Sequence, residues 1–78
     1  MQRVEFTIEP FVEAAPGEHV TAPVDALRDL GVDVEVGPFG SSCTVPSERV
    51  GDVVAAIARI AVERGATHIN VDIEAVDS

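Results

Sequence analysis

Four stretches of two-residue alternation and two of helical periodicity, ordered strand, helix, strand, strand, helix, strand, predict an α+β fold. In this fold a four-stranded antiparallel sheet carries two helices on one face. A Gly-Pro-Phe-Gly hairpin between the second and third strands, and a glycine just past each helical stretch, mark the joints. The composition agrees: 46% of the 78 residues are hydrophobic, mostly Val, Ala and Ile, as a β-branched sheet under Ala-rich helices requires. That length supports one hydrophobic core, so residues 1–78 read as a single domain for which self-association is a natural stabiliser.

The first strand runs from Arg3 toward Phe11, with Val4, Phe6 and Ile8 on one face and Glu5, Thr7 and Glu9 on the other; Pro10 helps to end it. Glu13 to Glu18, containing Pro16-Gly17, reads as a loop. A helix follows to about Leu30, with Val20, Val24, Leu27 and Leu30 at helical spacing. Pro23 fits only within a first turn, which places the helix start near Val20 or Thr21. Gly31 supplies its C-terminal cap.

Asp33 to Gly37 alternates again, with Val34 and Val36 inward and Glu35 outward. Pro38 suits the first corner of the hairpin turn and Gly40 a position of positive φ. Ser41 to Val45 returns with Cys43 and Val45 on the core side and Ser42 and Thr44 opposite. Ser47, after Pro46, is a candidate N-cap for a helix whose stripe is Val50, Val53, Val54, Ile57, Ile60 and Ala61, closed by Arg64 and Gly65. His68 to Glu74 is the last strand, setting Ile69, Val71 and Ile73 against His68, Asn70, Asp72 and Glu74. This order of elements is the ferredoxin-like βαββαβ arrangement, in which the first and third strands are central.

Charge narrows the partners. Fourteen carboxylates face five arginines, for a formal net charge of −9. Nucleic acid and anionic membrane surfaces are excluded as partners by that sign, whereas a small cationic or amino-bearing ligand is attracted. With the helices on the Val/Ile/Phe face, the opposite face gathers carboxylates and hydroxyls: Glu5, Thr7 and Glu9 beside Ser42 and Thr44, with Glu35 next to them. The alternatives are a plainly solvated face or one covered by a second subunit.

Catalytic and metal sites are not expected. His19 and His68 lie on different elements without zinc-ligand spacing, and Ser41-Ser42 lacks a glycine-framed elbow. Gly37–Gly40 has no phosphate-loop lysine. The lone Cys43 excludes an internal disulfide and reads as a buried, unreactive thiol. Phe39 at the hairpin tip, like Phe11, is a candidate for an oligomer contact, for folding over the core edge, or for stacking on a ligand. No signal peptide or bilayer-spanning run is evident, so a cytoplasmic location is the default expectation.

The stretch Val4-Glu5-Phe6-Thr7-Ile8-Glu9-Pro10, the Gly-Glu-His-Val at 17–20, and Val34-Glu35-Val36-Gly37-Pro38-Phe39-Gly40-Ser41 resemble the small thiamine-binding protein family, the hydroxymethylpyrimidine/thiamine-binding proteins. The resemblance implies a ferredoxin-like protomer in homodimers or homotetramers. It also implies binding of thiamine or hydroxymethylpyrimidine without catalysis and without any other cofactor. Carried onto this chain, it places ligand contacts at Gly37, Pro38, Ser41 and Ser42, with Thr7 and Glu9 beside them. Where the family's third strand runs into a Glu-Gly pair, this chain reads Cys43-Thr44-Val45-Pro46, so Glu9 or Glu35 would supply the carboxylate; Phe39 or Phe11 would cover the ring. The rival reading is a structural or regulatory oligomerisation module, like the ACT-type domains of the same topology, with no thiamine binding.

Overall fold

The computed structural model describes residues 1–10 and 17–76. Residues 13–16 of the loop expected at Glu13 to Glu18, and Phe11, lie outside the described residues. The observed order is β1 (Gln2–Glu9), α1 (Glu18–Asp29), β2 (Glu35–Gly37), β3 (Gly40–Val45), α2 (Val50–Glu63) and β4 (His68–Ala75), with a 3-10 turn, Ser47–Arg49, leading into α2. The strands form one antiparallel sheet in the order β2-β3-β1-β4, the ferredoxin-like topology.

The central strand β1 organises the rest. Val4, Phe6 and Ile8 are buried and face the helices, together with Cys43 and Val45 of β3. Against them pack Val24 and Leu27 of α1, and Val53, Ala56, Ile57 and Ala61 of α2. Both helices end as their glycines predicted. Gly31 (φ 81°) and Gly65 (φ 95°) sit in left-handed caps, and the next amides, of Val32 and Ala66, reach back to the Leu27 and Ala61 carbonyls at 3.0 Å. Val32 is part of the core and Ala66 packs against it, so helix termination and core packing coincide.

α1 begins earlier than its apolar spacing suggests. Gly17 is its N-cap, and the Gly17 carbonyl accepts from the amides of Val20 (2.9 Å) and Thr21 (3.0 Å). Pro23 is therefore in the second turn rather than the first, where its missing N–H leaves the His19 carbonyl without its helical donor. Its fully buried ring offsets part of that loss. His19 is buried as well and donates through Nε2 to the Pro10 carbonyl, tying the end of β1 to α1. Leu30 leaves the stripe and is 49% exposed, because the helix ends there.

Two further expectations change. Val36 shares the helix-side face but is 52% exposed, since β2 is a three-residue edge strand reaching past the helices. Ser47 starts the 3-10 turn instead of capping α2; its hydroxyl accepts from Gln2 Nε2 at 3.4 Å. Arginines stitch the helix ends: Arg28 donates to the Val34 carbonyl (3.2 Å), Arg49 to the Leu30 carbonyl (3.0 Å), and Arg64 pairs with Glu18 (3.3 Å). The exposed Arg64–Glu18 ion pair adds little on its own.

Burial pushes the Cys43 thiol above its ordinary range. The native state holds that proton more tightly, so Cys43 leaves stability untouched below the usual thiol range and lowers it as pH rises beyond. Thiol labelling at neutral pH should therefore proceed only on unfolding; fast labelling of native protein would contradict a packed thiol. Ile57 and Leu27 are 0% exposed at the helix–sheet junction. Truncating either to Ala should cost about 2–5 kcal/mol in a denaturant titration, whereas Glu48→Ala on the surface should leave the midpoint almost unchanged.

Candidate functional site

The sheet face away from the helices is open and polar. Strand register arranges its side chains in rows across the sheet, since paired residues share a face. One row runs Glu35, Ser42, Glu5, Asp72, over all four strands. It sets Ser42 between Glu35 and Glu5, and Glu5 between Ser42 and Asp72. A neighbouring row places Arg3 between Thr44 and Glu74, and Arg3 reaches along β1 to Glu5 at 3.1 Å. On the other side Thr7 stands between Gly40 and Asn70.

Above these rows lies a groove of about 650 Å³, walled at one end by the hairpin Gly37-Pro38-Phe39-Gly40. That volume suits a ligand of one or two small rings. Its floor is polar: Arg3, Glu5, Thr7, Ser42, Asn70 and Asp72. Phe39, at 86% exposure, projects from the hairpin tip as the large apolar surface beside it.

The hairpin geometry depends on Gly40. Gly37 and Gly40 pair directly, so only Pro38 and Phe39 make the turn. No non-glycine described residue has positive φ, so the backbone adjustment falls on Gly40 (φ +156°). A Cβ there would sit 3.0 Å from Thr7 Cγ2 and 3.2 Å from the Phe6 carbonyl oxygen. The absence of a side chain lets the hairpin close onto β1 next to Thr7.

Of the residues singled out by sequence, Thr7, Gly37, Pro38, Phe39, Ser41 and Ser42 border the groove. Ser41 does so from the wrong side: it pairs with Phe6 and Val36, and is buried at 7% exposure on the helix face. Its hydroxyl therefore does not join the open-face row. Glu9 is on the open face but pairs with His68, roughly 13 Å along the strand from Glu5 by strand rise, and outside the groove. Glu35 does not border the groove, though it is Ser42's neighbour in the acidic row. Thr7 and Ser42 share the open face on paired strands as expected, but Ser42 stands opposite Glu5, and Thr44 opposite Arg3. Glu5, Asn70 and Asp72 carry the polar parity expected from sequence but, like Arg3, are not among the ligand contacts expected there. Their parity was readable, but the register that gathers them was not.

Among the described residues no cluster of three or more His, Cys, Asp or Glu side chains has metal-site geometry. Among the described residues no helix is long and apolar enough to cross a membrane.

No protein-family model matches the chain, and no curated protein matches it by sequence. Solved structures do match. A candidate thiamine biosynthesis/salvage protein from Thermotoga maritima superposes with TM-score 0.71 at 24% identity, covering 96% of this chain and 83% of that one. A protein from Streptococcus pneumoniae gives 0.68 at 17% identity, over 97% and 87% of the two chains. A domain of unknown function, DUF77, from Bacillus cereus gives 0.66 at 20% identity, over 94% and 71%. At these identities the likeness establishes the fold: the chain has the architecture of those proteins over nearly its whole length.

Gly40→Ala should destabilise the protein by about 1–3 kcal/mol, with the loss read in a denaturant titration. Gly51→Ala, on an open stretch of α2 with nothing within 4 Å of the new methyl, should be neutral or stabilising. Equal effects of the two would contradict close hairpin approach as the constraint.

Proposed function

We propose that this chain is a non-catalytic binding protein for thiamine or its hydroxymethylpyrimidine portion, held in the open-face groove, and that it works as a homo-oligomer. The observation that supports the reading is the row Ser42–Glu5–Asp72 at the floor of a groove of about 650 Å³, with Glu35 continuing the row just beyond it. An aminopyrimidine offers an exocyclic amine and a ring nitrogen that can be protonated. A carboxylate accepts from both through charge-assisted hydrogen bonds. Glu5 or Asp72 takes that role in place of the Glu9 or Glu35 suggested by sequence, because both border the groove. Ser42 and Asn70 orient the ring edge, and Phe39 covers an aromatic face. The field of the strongly acidic chain favours the thiazolium cation of thiamine. The thiamine biosynthesis/salvage assignment of the T. maritima neighbour supports the same ligand class.

The rival module reading, in which this topology serves subunit pairing alone, draws on the exposed apolar residues Val36, Phe39 and Ile73 at the hairpin and sheet edges. Thr7→Val with Ser42→Ala separates the two. Loss of ligand with the oligomer intact favours the binding protein, and loss of the oligomer with no detectable ligand favours the module.

Calorimetric titration with thiamine and with hydroxymethylpyrimidine should give saturable heat for at least one. Glu5→Gln and Asp72→Asn should each weaken it about tenfold or more, equivalent to roughly 1.4 kcal/mol, while Glu9→Gln should leave it unchanged. No heat from either ligand at millimolar concentration would reject the proposal.

A further inference from the structure

We propose that a second copy of this chain docks on the free edge of β4, pairing antiparallel with its own counterpart about a two-fold axis through Val71, so that two sheets join into one of eight strands. This names a surface for the self-association in the functional reading above. It rests on that reading only for the fact of self-association, since the geometry of the edge is independent of any ligand.

The first observation is the edge itself. β4 is eight residues long, lies at the end of the sheet and, among the described residues, has β1 as its sole neighbour. It carries no lysine, proline or glycine and no interior bulge, the devices that normally blunt such an edge. Its apolar side chains are incompletely covered: Ile73 is 49% exposed, and Ile69 and Val71 are only partly buried.

The second observation is which backbone groups are free. The Val76 amide donates to the Met1 carbonyl at 3.1 Å, continuing the register that pairs Gln2 with Ala75. Antiparallel hydrogen-bonded pairs recur every second residue. Even-numbered residues of β4 therefore turn their amides and carbonyls toward β1, and Ile69, Val71 and Ile73 turn theirs outward.

The third is that the strand is complementary to itself. With the axis at Val71, Ile69 meets Ile73 of the partner subunit and Val71 meets Val71 of the partner subunit, all on the helix side. These are the residues with outward-facing backbone groups, so each pair exchanges two hydrogen bonds. On the open face Asn70 meets Asp72 of the partner subunit, and His68 meets Glu74 of the partner subunit. An amide and an imidazole each find a carboxylate. Moving the axis to Asp72 sets the two Asp72 carboxylates directly opposite each other, and moving it to Asn70 drops Ile73 from the apolar pairs. A self-complementary patch of this kind is what a two-fold dimer requires. Because Asn70 and Asp72 border the groove, the partner's Asp72 and Asn70 extend its floor, and the two grooves meet across the axis.

Native mass spectrometry of the full chain should give a dimer of 8.2 kDa subunits, and Ile73→Lys should shift it to monomer with an unchanged circular dichroism spectrum. A register test uses exposed positions that do not burden the core. Asn70→Cys mixed with Asp72→Cys should form a disulfide-linked heterodimer under mild oxidation, because open-face pairs bring Cα atoms within disulfide range. Neither variant should cross-link alone. A wild-type monomer at micromolar concentration would overturn the proposal, as would self-linking of either single variant without the mixed product. A failed thiamine titration with the dimer and mixed disulfide intact would reject the ligand reading while leaving this interface standing.

Discussion

The structure depends on the two-residue alternation of β1. It is a central strand, hydrogen-bonded on both sides, so each of its side chains is committed to one face. Val4, Phe6 and Ile8 anchor the core; Arg3, Glu5 and Thr7 build the open face. A one-residue slip of this strand would put three carboxylate or hydroxyl groups under the helices and three apolar side chains in water, a loss no small domain tolerates. The pattern that makes the protein fold is thus the same pattern that places acids on a rigid floor.

From that strand the remaining features follow in order. β3 and β4 take their register from β1, and the register determines that Ser42 and Asp72 flank Glu5 rather than any other acid. The hairpin reaches the floor because Gly40 has no side chain to hold it away from Thr7 and Phe6. The helices close the opposite side, with Leu27 and Ile57 at the junction, and leave the two edges of the sheet only partly covered. The open face and the free strand edges, on which the proposed binding and association rest, both lie where the helices do not reach.

Most of the fold was legible because it is written in local signals: period-two alternation, helical stripes, and the glycines that end α1 and α2. What local signals could not supply was lateral alignment. Glu9 and Ser41 show this well. Parity alone put Glu9 on the open face, but only strand pairing shows that it lies opposite His68, beyond the groove. Ser41 was grouped with Ser42 through its hairpin motif, although alternation with Cys43 already implied the helix side. Proline preference alone points to a helix start near Val20 or Thr21, but Gly17, a fitting cap, and Glu18, a first-turn acid, start α1 earlier and leave Pro23 in its second turn. Val36 and Leu30 fit their periodic patterns but lie at the end or edge of their elements, where burial is a tertiary outcome.

The central claim is that Glu5, Ser42 and Asp72 form a ligand floor on the face opposite the helices. Backbone amide chemical-shift mapping during a thiamine titration tests it most directly, because it reports position rather than affinity. The account predicts saturating shifts concentrated at residues 5–7, 40–42 and 70–72, with the amides of α1 and α2 unmoved. Shifts centred on the helices, or spread without saturation over the acidic surface, would contradict it.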